Sequence, residues 1–236
     1  MADSTAQEAA ASIRHPLTIA LLTLTFSTGL IDAASYLGLG RVFTANMTGN
    51  VVLLGFGLAG AGGLPIISPI LSLAAFLLGS GLGAVLGRLP ERVPTAHLGV
   101  TLALEVALVG VAAILAATLD VHPNSFAGDT MVVILAFAMG ARNATVRRIG
   151  VPDMTTTVLT MTLTGLAADS RLAGGPGTGT VRRTSAVAAM LTGAISGALL
   201  LKSSLALPLA VAAVLVLVAA ITYVPPRLRH EASAAG

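Results

Sequence analysis

Polar side chains are concentrated in one short stretch of an otherwise apolar chain. Thr44, Asn46, Thr48 and Asn50 lie within residues 41–55. On a helix, Asn46 and Asn50 share one face, and Thr44 and Thr48 lie one step away. The start of such a helix offers free backbone N–H groups and a positive dipole end, which suit an anion or a carboxylate. The stretch is therefore a candidate binding site, although the same groups could serve only to bond helices together.

A fainter copy of this stretch occurs in the second half of the chain, around residues 153–165. Thr156 and Thr160 take the places of Thr44 and Thr48 at an offset of 112. We expect the two stretches to face each other in the middle of the protein, because polar groups at membrane depth usually line a site or a water-filled path.

Ionisable and amide side chains also lie inside apolar runs. Asp32 and Glu105 are carboxyl groups that could serve as a proton or cation site, and Arg142 lies beside Asn143. An Asp32–Arg142 pair would neutralise both charges. The alternatives are that Asp32 lies at an interface, that Glu105 is neutral and bonded to a neighbouring helix, and that Arg142 extends towards the membrane surface.

The composition indicates a protein covered by lipid. Of 236 residues, 55% are apolar and only 10% are charged, with a mean hydropathy of +0.92, whereas soluble domains carry about 25% charged residues. The net charge of +3 comes from arginines at segment ends, which argues against nucleic acid as a partner. There is no cysteine, and the histidines lack metal-ligand spacing. We therefore predict no metal, no cofactor and no enzymatic activity.

Eight apolar runs divide the chain, and they predict an all-α, polytopic transmembrane helix bundle. The runs fall at about 17–38, 46–62, 66–87, 97–118, 127–147, 154–168, 184–202 and 205–224. They form a single membrane domain at 16–224, between an N-terminal tail at 1–15, which we predict to be disordered, and a C-terminal tail at 225–236.

Matching residues at a nearly constant spacing indicate an internal duplication. Phe26, Gly29 and Asp32 match Phe137, Gly140 and Asn143 at an offset of 111. The predicted repeats cover about 17–118 and 127–224. The glycines at small-xxx-small spacing predict close helix packing, and a homo-oligomer could form through the same faces; they are Gly79, Gly83, Gly87, Gly193 and Gly197.

Arginine positions favour one topology. If the second and sixth runs enter and leave on the same side, ten basic residues are cytoplasmic and only Arg41 and Lys202 are outside. The prediction is then six spans plus two re-entrant or broken helices, arranged as two inverted repeats, with the N-terminus in the cytoplasm. Seven spans, with the second run crossing the membrane, give the same arginine count and remain an alternative.

Residues 35–55, together with Asp32, Arg142, Asn143 and Thr156–Thr160, resemble the YoaK-like family of bacterial integral membrane proteins, a domain of unknown function. The resemblance covers about 17–224 and implies a bacterial inner-membrane location. It implies no substrate, cofactor or catalytic residue. One departure is Thr160-Met161, where a Thr-Gly pair would match Thr48-Gly49.

Two functions fit these features. The first is a transporter or channel for a small polar solute or ion, because buried polar groups and interrupted, duplicated helices are typical of such proteins. The second is a scaffold or subunit that binds a partner or lipid, for which the glycine faces would suffice.

Overall fold

The protein is all-helical. The computed structural model describes residues 15–88, 96–149 and 159–234, so Asp153, Thr156 and all of the predicted N-terminal tail except His15 lie outside the described residues. Within them the chain forms eight α-helices, a short 3-10 turn at Arg171–Ala173, and no strand. The helices are α1 Pro16–Gly38, α2 Met47–Leu58, α3 Ile67–Leu86, α4 Ala96–Thr118, α5 Phe126–Ile149, α6 Leu159–Ala168, α7 Thr180–Leu201 and α8 Ala206–Ala234.

Four of the described helices, α1, α3, α4 and α7, are long and apolar enough to cross a bilayer. Helix α5 has 24 residues but carries Asp129 and three arginines. Helix α2 has 12 residues, and at about 1.5 Å per residue it does not reach across about 30 Å of hydrocarbon; the described part of α6 has 10 residues. Large apolar side chains on the outer faces of the long helices are exposed, among them Leu77, Ile114 and Leu191. Lipid is the natural cover for such a surface.

Helices α3 and α5 pack with their backbones in direct contact. A β-carbon at Gly79 would lie 2.0 Å from the carbonyl oxygen of Phe137, and one at Gly140 would lie 2.1 Å from that of Phe76. Farther along, a β-carbon at Gly83 would meet the carbonyl oxygen of Ala141 at 2.5 Å. Only glycine permits this approach, because any side chain would push the helices apart.

Helices α1 and α7 make the corresponding contacts. A β-carbon at Gly193 would lie 2.2 Å from the carbonyl oxygen of Phe26, and one at Gly197 would lie 3.0 Å from that of Leu30. In the repeat alignment, Gly193 and Gly197 correspond to Gly79 and Gly83. Phe26 and Leu30 correspond in the same way to Phe137 and Ala141. The first helix of each half thus packs on the third helix of the other half.

The glycine faces are therefore occupied within the chain. Gly79, Gly83, Gly193 and Gly197 all face other helices of the same molecule, and Gly87 lies against the side chain of Arg148. The prediction that they pack helices together is in accord with these contacts. The prediction of a homo-oligomer through the same faces gains no support from these contacts and stays a prediction.

Pairs of contacts fix the relative directions of the helices. Helices α3 and α5 run parallel, since Ser68 bonds Asp129 near their starts and Gly83 meets Ala141 farther along. Helices α1 and α5 run antiparallel: Leu17 and Leu21 share an apolar cluster with Val146, whereas Leu30 shares another with Met131. It follows that α1 and α3 run in opposite directions, with the short helix α2 between them in the chain.

The core lies between α1, α4, α5 and α8. Leucine, valine, alanine and methionine side chains from these four helices form two buried clusters, one towards each end of the bundle. Hydroxyls along α1 are satisfied locally, because Thr25 and Thr28 donate to the carbonyls of Leu21 and Leu24. Serine and threonine can therefore lie deep in the bundle without an unpaired donor.

Replacing Gly79 by alanine should separate α3 from α5. We expect a loss of roughly 1–3 kcal/mol of stability, the usual effect of overpacking, because the new methyl group meets a carbonyl that cannot move independently. Thermal unfolding in detergent measures this loss of stability. Gly81→Ala is the matched control, since a β-carbon there meets nothing within 4 Å. Equal melting temperatures for the two variants would contradict the contact.

Candidate functional site

The chain turns back into the bundle after α1. Asp32 lies two helical turns before the end of α1, or about 9 Å below it at the usual helical rise. Its Oδ1 accepts hydrogen bonds from the backbone N–H groups of Thr44 at 3.1 Å and Ala45 at 2.9 Å. The segment that follows α1 therefore descends alongside that helix, and α2 begins at the depth of Asp32 rather than at the end of the bundle.

Asn50 holds the same segment from the other side. Its Oδ1 accepts from the backbone N–H of Phe43 at 2.9 Å, and its Nδ2 donates to the carbonyl of Phe43 at 2.7 Å. Ser72 of α3 also donates to that carbonyl, at 2.7 Å. Asn50 and Ser72 are fully buried. Their hydrogen bonds satisfy backbone groups that would otherwise be unpaired at membrane depth, where each such group costs several kcal/mol.

Asn46 caps the start of α2. Its Oδ1 accepts from the N–H of Gly49 at 3.2 Å, as expected for an N-cap residue. Gly49 is needed because a β-carbon there would lie 2.9 Å from the ring of Phe43. At the position in α6 that corresponds to Gly49, Met161 is 70% exposed. That residue therefore does not make a close approach like the one between Gly49 and Phe43.

A cavity of about 1350 Å³ lies between the helix pairs α3–α5 and α1–α7. The starts of α2 and α6 both reach it, through Met47, Thr48 and Gly49 on one side and Leu159 and Thr160 on the other. Helices α1, α3, α5 and α7 supply most of the rest of its described lining, which includes Gly29, Asp32, Ser80, Ala84, Asn143, Met190 and Ala194. The cavity is large enough for a small molecule and combines apolar walls with a few polar groups, as binding sites usually do.

The two ends of the cavity differ. Towards the C-terminal end of α1, the rings of Tyr36 and Phe43 stack with centroids 4.7 Å apart. Towards the opposite end, the lining contains three arginines: Arg88, Arg147 and Arg148. Asp32 lies between these ends. A molecule that passed along the cavity would move from an aromatic pair, past a carboxylate and two helix starts, to a group of cations.

Glu105 and Arg142 form an ion pair away from the cavity lining. Glu105 Oε1 accepts from Arg142 Nη1 at 2.8 Å, and both side chains are fully buried. Arg142 also donates to the hydroxyls of Ser27, at 3.1 Å, and Thr28. The predicted Asp32–Arg142 pair is therefore wrong: Asp32 is engaged by backbone N–H groups, and Glu105 neutralises the arginine. The pair joins α1, α4 and α5, and breaking a buried pair is usually costly.

The candidate residues thus divide into three groups. Asp32, Asn46, Thr48, Asn143 and Thr160 line the cavity. A second group stabilises the protein rather than lining the cavity. Thr44 donates its backbone N–H to Asp32, Asn50 accepts from the backbone N–H of Phe43, and Glu105 pairs with Arg142. Thr156 lies outside the described residues. Among those residues, no group of three His, Asp or Glu side chains could hold a metal ion.

Sequence reasoning missed several lining residues. Tyr36 and Ser80 carry no motif, and nothing in their spacing marks them. Arg88, Arg147 and Arg148 were noticed only as markers of the cytoplasmic side. No signal in the sequence separates them, because their place in the lining follows from the parallel packing of α3 on α5, in which Gly87 meets Arg148.

A family comparison agrees with the resemblance drawn from the sequence. The family described as protein of unknown function (DUF1275) matches residues 20–222. The chain belongs to this family. The UPF0700 transmembrane protein YoaK of Bacillus subtilis (strain 168) is 32% identical over 164 residues, which is 68% of this chain and 68% of that protein. No solved structure matches the chain. This DUF1275 protein is accordingly a multi-pass membrane protein, in accord with its apolar helices.

Replacing Asp32 by alanine should release the segment that precedes α2. Without the carboxylate, the N–H groups of Thr44 and Ala45 lose their acceptor, and we expect their amide hydrogens to exchange at least tenfold faster, since a charge-assisted hydrogen bond contributes about 1.5–3 kcal/mol. Hydrogen exchange with mass spectrometry measures it. Asp129→Ala is the matched control, because Asp129 bonds only Ser68 at the start of α3. Unchanged exchange at Thr44 and Ala45 would show that Asp32 does not hold this segment.

Proposed function

We propose that this protein is a transporter or channel for a small polar solute or ion in the bacterial inner membrane. The observation that carries the proposal is the cavity between α2 and α6, which Asp32, Asn46, Thr48, Asn143 and Thr160 line. Interrupted helices that begin near the middle of a membrane are a common means of binding solutes, since their free N–H groups and dipoles face the site. No chemical step is needed, and we propose no catalytic role.

We further propose that the chain spans the membrane six times, through α1, α3, α4, α5, α7 and α8, as two inverted repeats. Two observations support this arrangement. Helices α1 and α3 run in opposite directions, so α3 starts on the side where α1 ended, and α2 would re-enter rather than cross. The glycine contacts of α1 with α7 also correspond one by one to those of α5 with α3. An antiparallel relation between α1 and α5 is what an inverted repeat requires.

The arginine distribution orients this arrangement. With α1 running from the cytoplasm outwards, Arg88, Arg147, Arg148 and Arg171 lie on the cytoplasmic side, as the insertion preference for positive loops expects. The N-terminus is then cytoplasmic. The aromatic end of the cavity faces outwards and its arginine end faces the cytoplasm.

Cysteine labelling tests the six-span proposal, because the chain has no cysteine of its own. We expect Leu37→Cys and Ala61→Cys, which flank α2, to react with an impermeant maleimide added outside intact cells. Leu172→Cys should react only after permeabilisation. Leu37, Ala61 and Leu172 are all exposed. Labelling of Leu37→Cys and Ala61→Cys from opposite sides would exclude a re-entrant α2 and favour seven spans.

Transport itself is tested with purified protein in liposomes and a panel of labelled small solutes and ions. We expect Asn46→Ala and Thr160→Val to lower the initial uptake rate at least tenfold while abundance stays near normal, because each removes a polar group from the cavity. Thr192→Val is the matched control: Thr192 is exposed on α7, bonds its own helix and is not part of the described lining. Folded protein that moves no member of the panel would favour the scaffold function instead.

A further inference from the structure

The charged groups that line the cavity are unequal in sign. The described lining includes three exposed arginines, Arg88, Arg147 and Arg148, and one acidic residue, Asp32. The other buried carboxylate, Glu105, lies outside the described lining and is paired with Arg142. The cavity therefore carries a surplus of positive charge at its cytoplasmic end.

The three arginines have no acidic partner among the residues that the structure describes. Within the described residues, none of them takes part in an ion pair or a side-chain hydrogen bond, whereas Arg183, on the same side of the bundle, pairs with Asp169 at 2.8 Å. The side chain of Arg148 runs over Gly87, where a β-carbon would lie 2.8 Å from its Cδ. The glycine thus lets Arg148 lie close against the end of α3, beside Arg88.

The carboxylate in the cavity does not offset these arginines. Asp32 already accepts hydrogen bonds from the backbone N–H groups of Thr44 and Ala45, and along α1 it lies on the far side of Gly29 from the arginine end. A cation entering from the cytoplasmic end would first meet three like charges. A narrow cavity with low-dielectric walls focuses such a potential and concentrates ions of the opposite sign.

We propose that the cavity takes a small anion, and that Arg88, Arg147 and Arg148 form its recognition site at the cytoplasmic end. Guanidinium groups suit oxyanions because their planar donors bond two oxygens at once. The ligand class is therefore a small free oxyanion with the chemistry of sulfate, phosphate or a carboxylate. Deeper in the cavity, the start of α2 presents the positive end of its dipole along the same path. This inference rests on the proposed function for the movement of the anion, but not for its binding.

Binding is measured separately from transport. Sodium sulfate, sodium phosphate and sodium formate are titrated calorimetrically into the purified full-length protein in a zwitterionic buffer and neutral detergent, and choline chloride and glycerol serve as a cation probe and a neutral probe. We expect saturable binding of at least one oxyanion and none of choline or glycerol. Arg147→Gln and Arg148→Gln should each weaken that binding roughly tenfold, the effect of losing one charge-assisted contact.

Arg171→Gln is the matched control, because it removes one exposed arginine from the same side of the protein without touching the cavity lining. We expect it to change oxyanion affinity less than about twofold. Arg148→Lys keeps the charge and should retain intermediate affinity, which covers the case in which a glutamine variant fails to insert. Equal losses of oxyanion affinity in Arg171→Gln and Arg148→Gln would show that general surface charge attracts the anion, and would overturn the proposed site. Saturable binding of anionic phospholipid without any binding of free oxyanion would also overturn the proposed site.

Flux in liposomes separates this inference from the proposed function. Labelled sulfate, phosphate and formate are compared with rubidium and glycerol. Uptake of rubidium or glycerol by protein that binds no oxyanion would overturn the anion inference and leave transport standing. Oxyanion binding without flux of any probe would support the recognition site and count against transport.

Discussion

The arrangement depends on satisfying a stretch of irregular backbone within a membrane. Residues 39–46 are neither helix nor strand, and lipid offers no hydrogen bonds to replace those of water. Asp32 and Asn50 supply them by bonding the N–H groups of Thr44, Ala45 and Phe43. Only because these groups are satisfied can α2 begin at depth and direct its first turn into a cavity. A carboxylate that looks from sequence like a ligand is, in part, what makes the site able to exist.

The two halves of the chain share their glycine contacts but differ in the positions of their charged residues. The glycine contacts correspond residue by residue, yet Asp32 has the neutral Asn143 as its counterpart, and the position of Arg142 is taken in the first half by Ile31. The Glu105–Arg142 pair therefore lies off any approximate two-fold relation. Packing tolerates little change, because backbones touch at Gly79 and Gly193. The polar positions differ between the two halves, as Asp32 and Asn143 do.

The sequence predicted much of the helical framework because hydrophobic length and glycine spacing report on lipid and backbone contact directly. Within the polar stretch, Asn46 and Thr48 line the cavity, whereas Thr44 and Asn50 do not. Side-chain partners were harder. Arg142 pairs with Glu105 rather than Asp32, and Asn50 is a brace rather than a lining residue. Such choices depend on which neighbouring helix lies a few ångströms closer, and neither periodicity nor charge encodes that distance. The sequence marked Arg88, Arg147 and Arg148 only as basic residues of the cytoplasmic side, and it did not indicate that they line a cavity.

The crossed pairing of the halves has a consequence for biosynthesis. Helix α1 rests on α7, whose first residue is synthesised more than a hundred positions later, and on α5 and α8. Until those helices emerge from the ribosome, α1 lacks the neighbours that bury it in the folded protein. Helix α1 therefore completes its packing only after α8 has been synthesised.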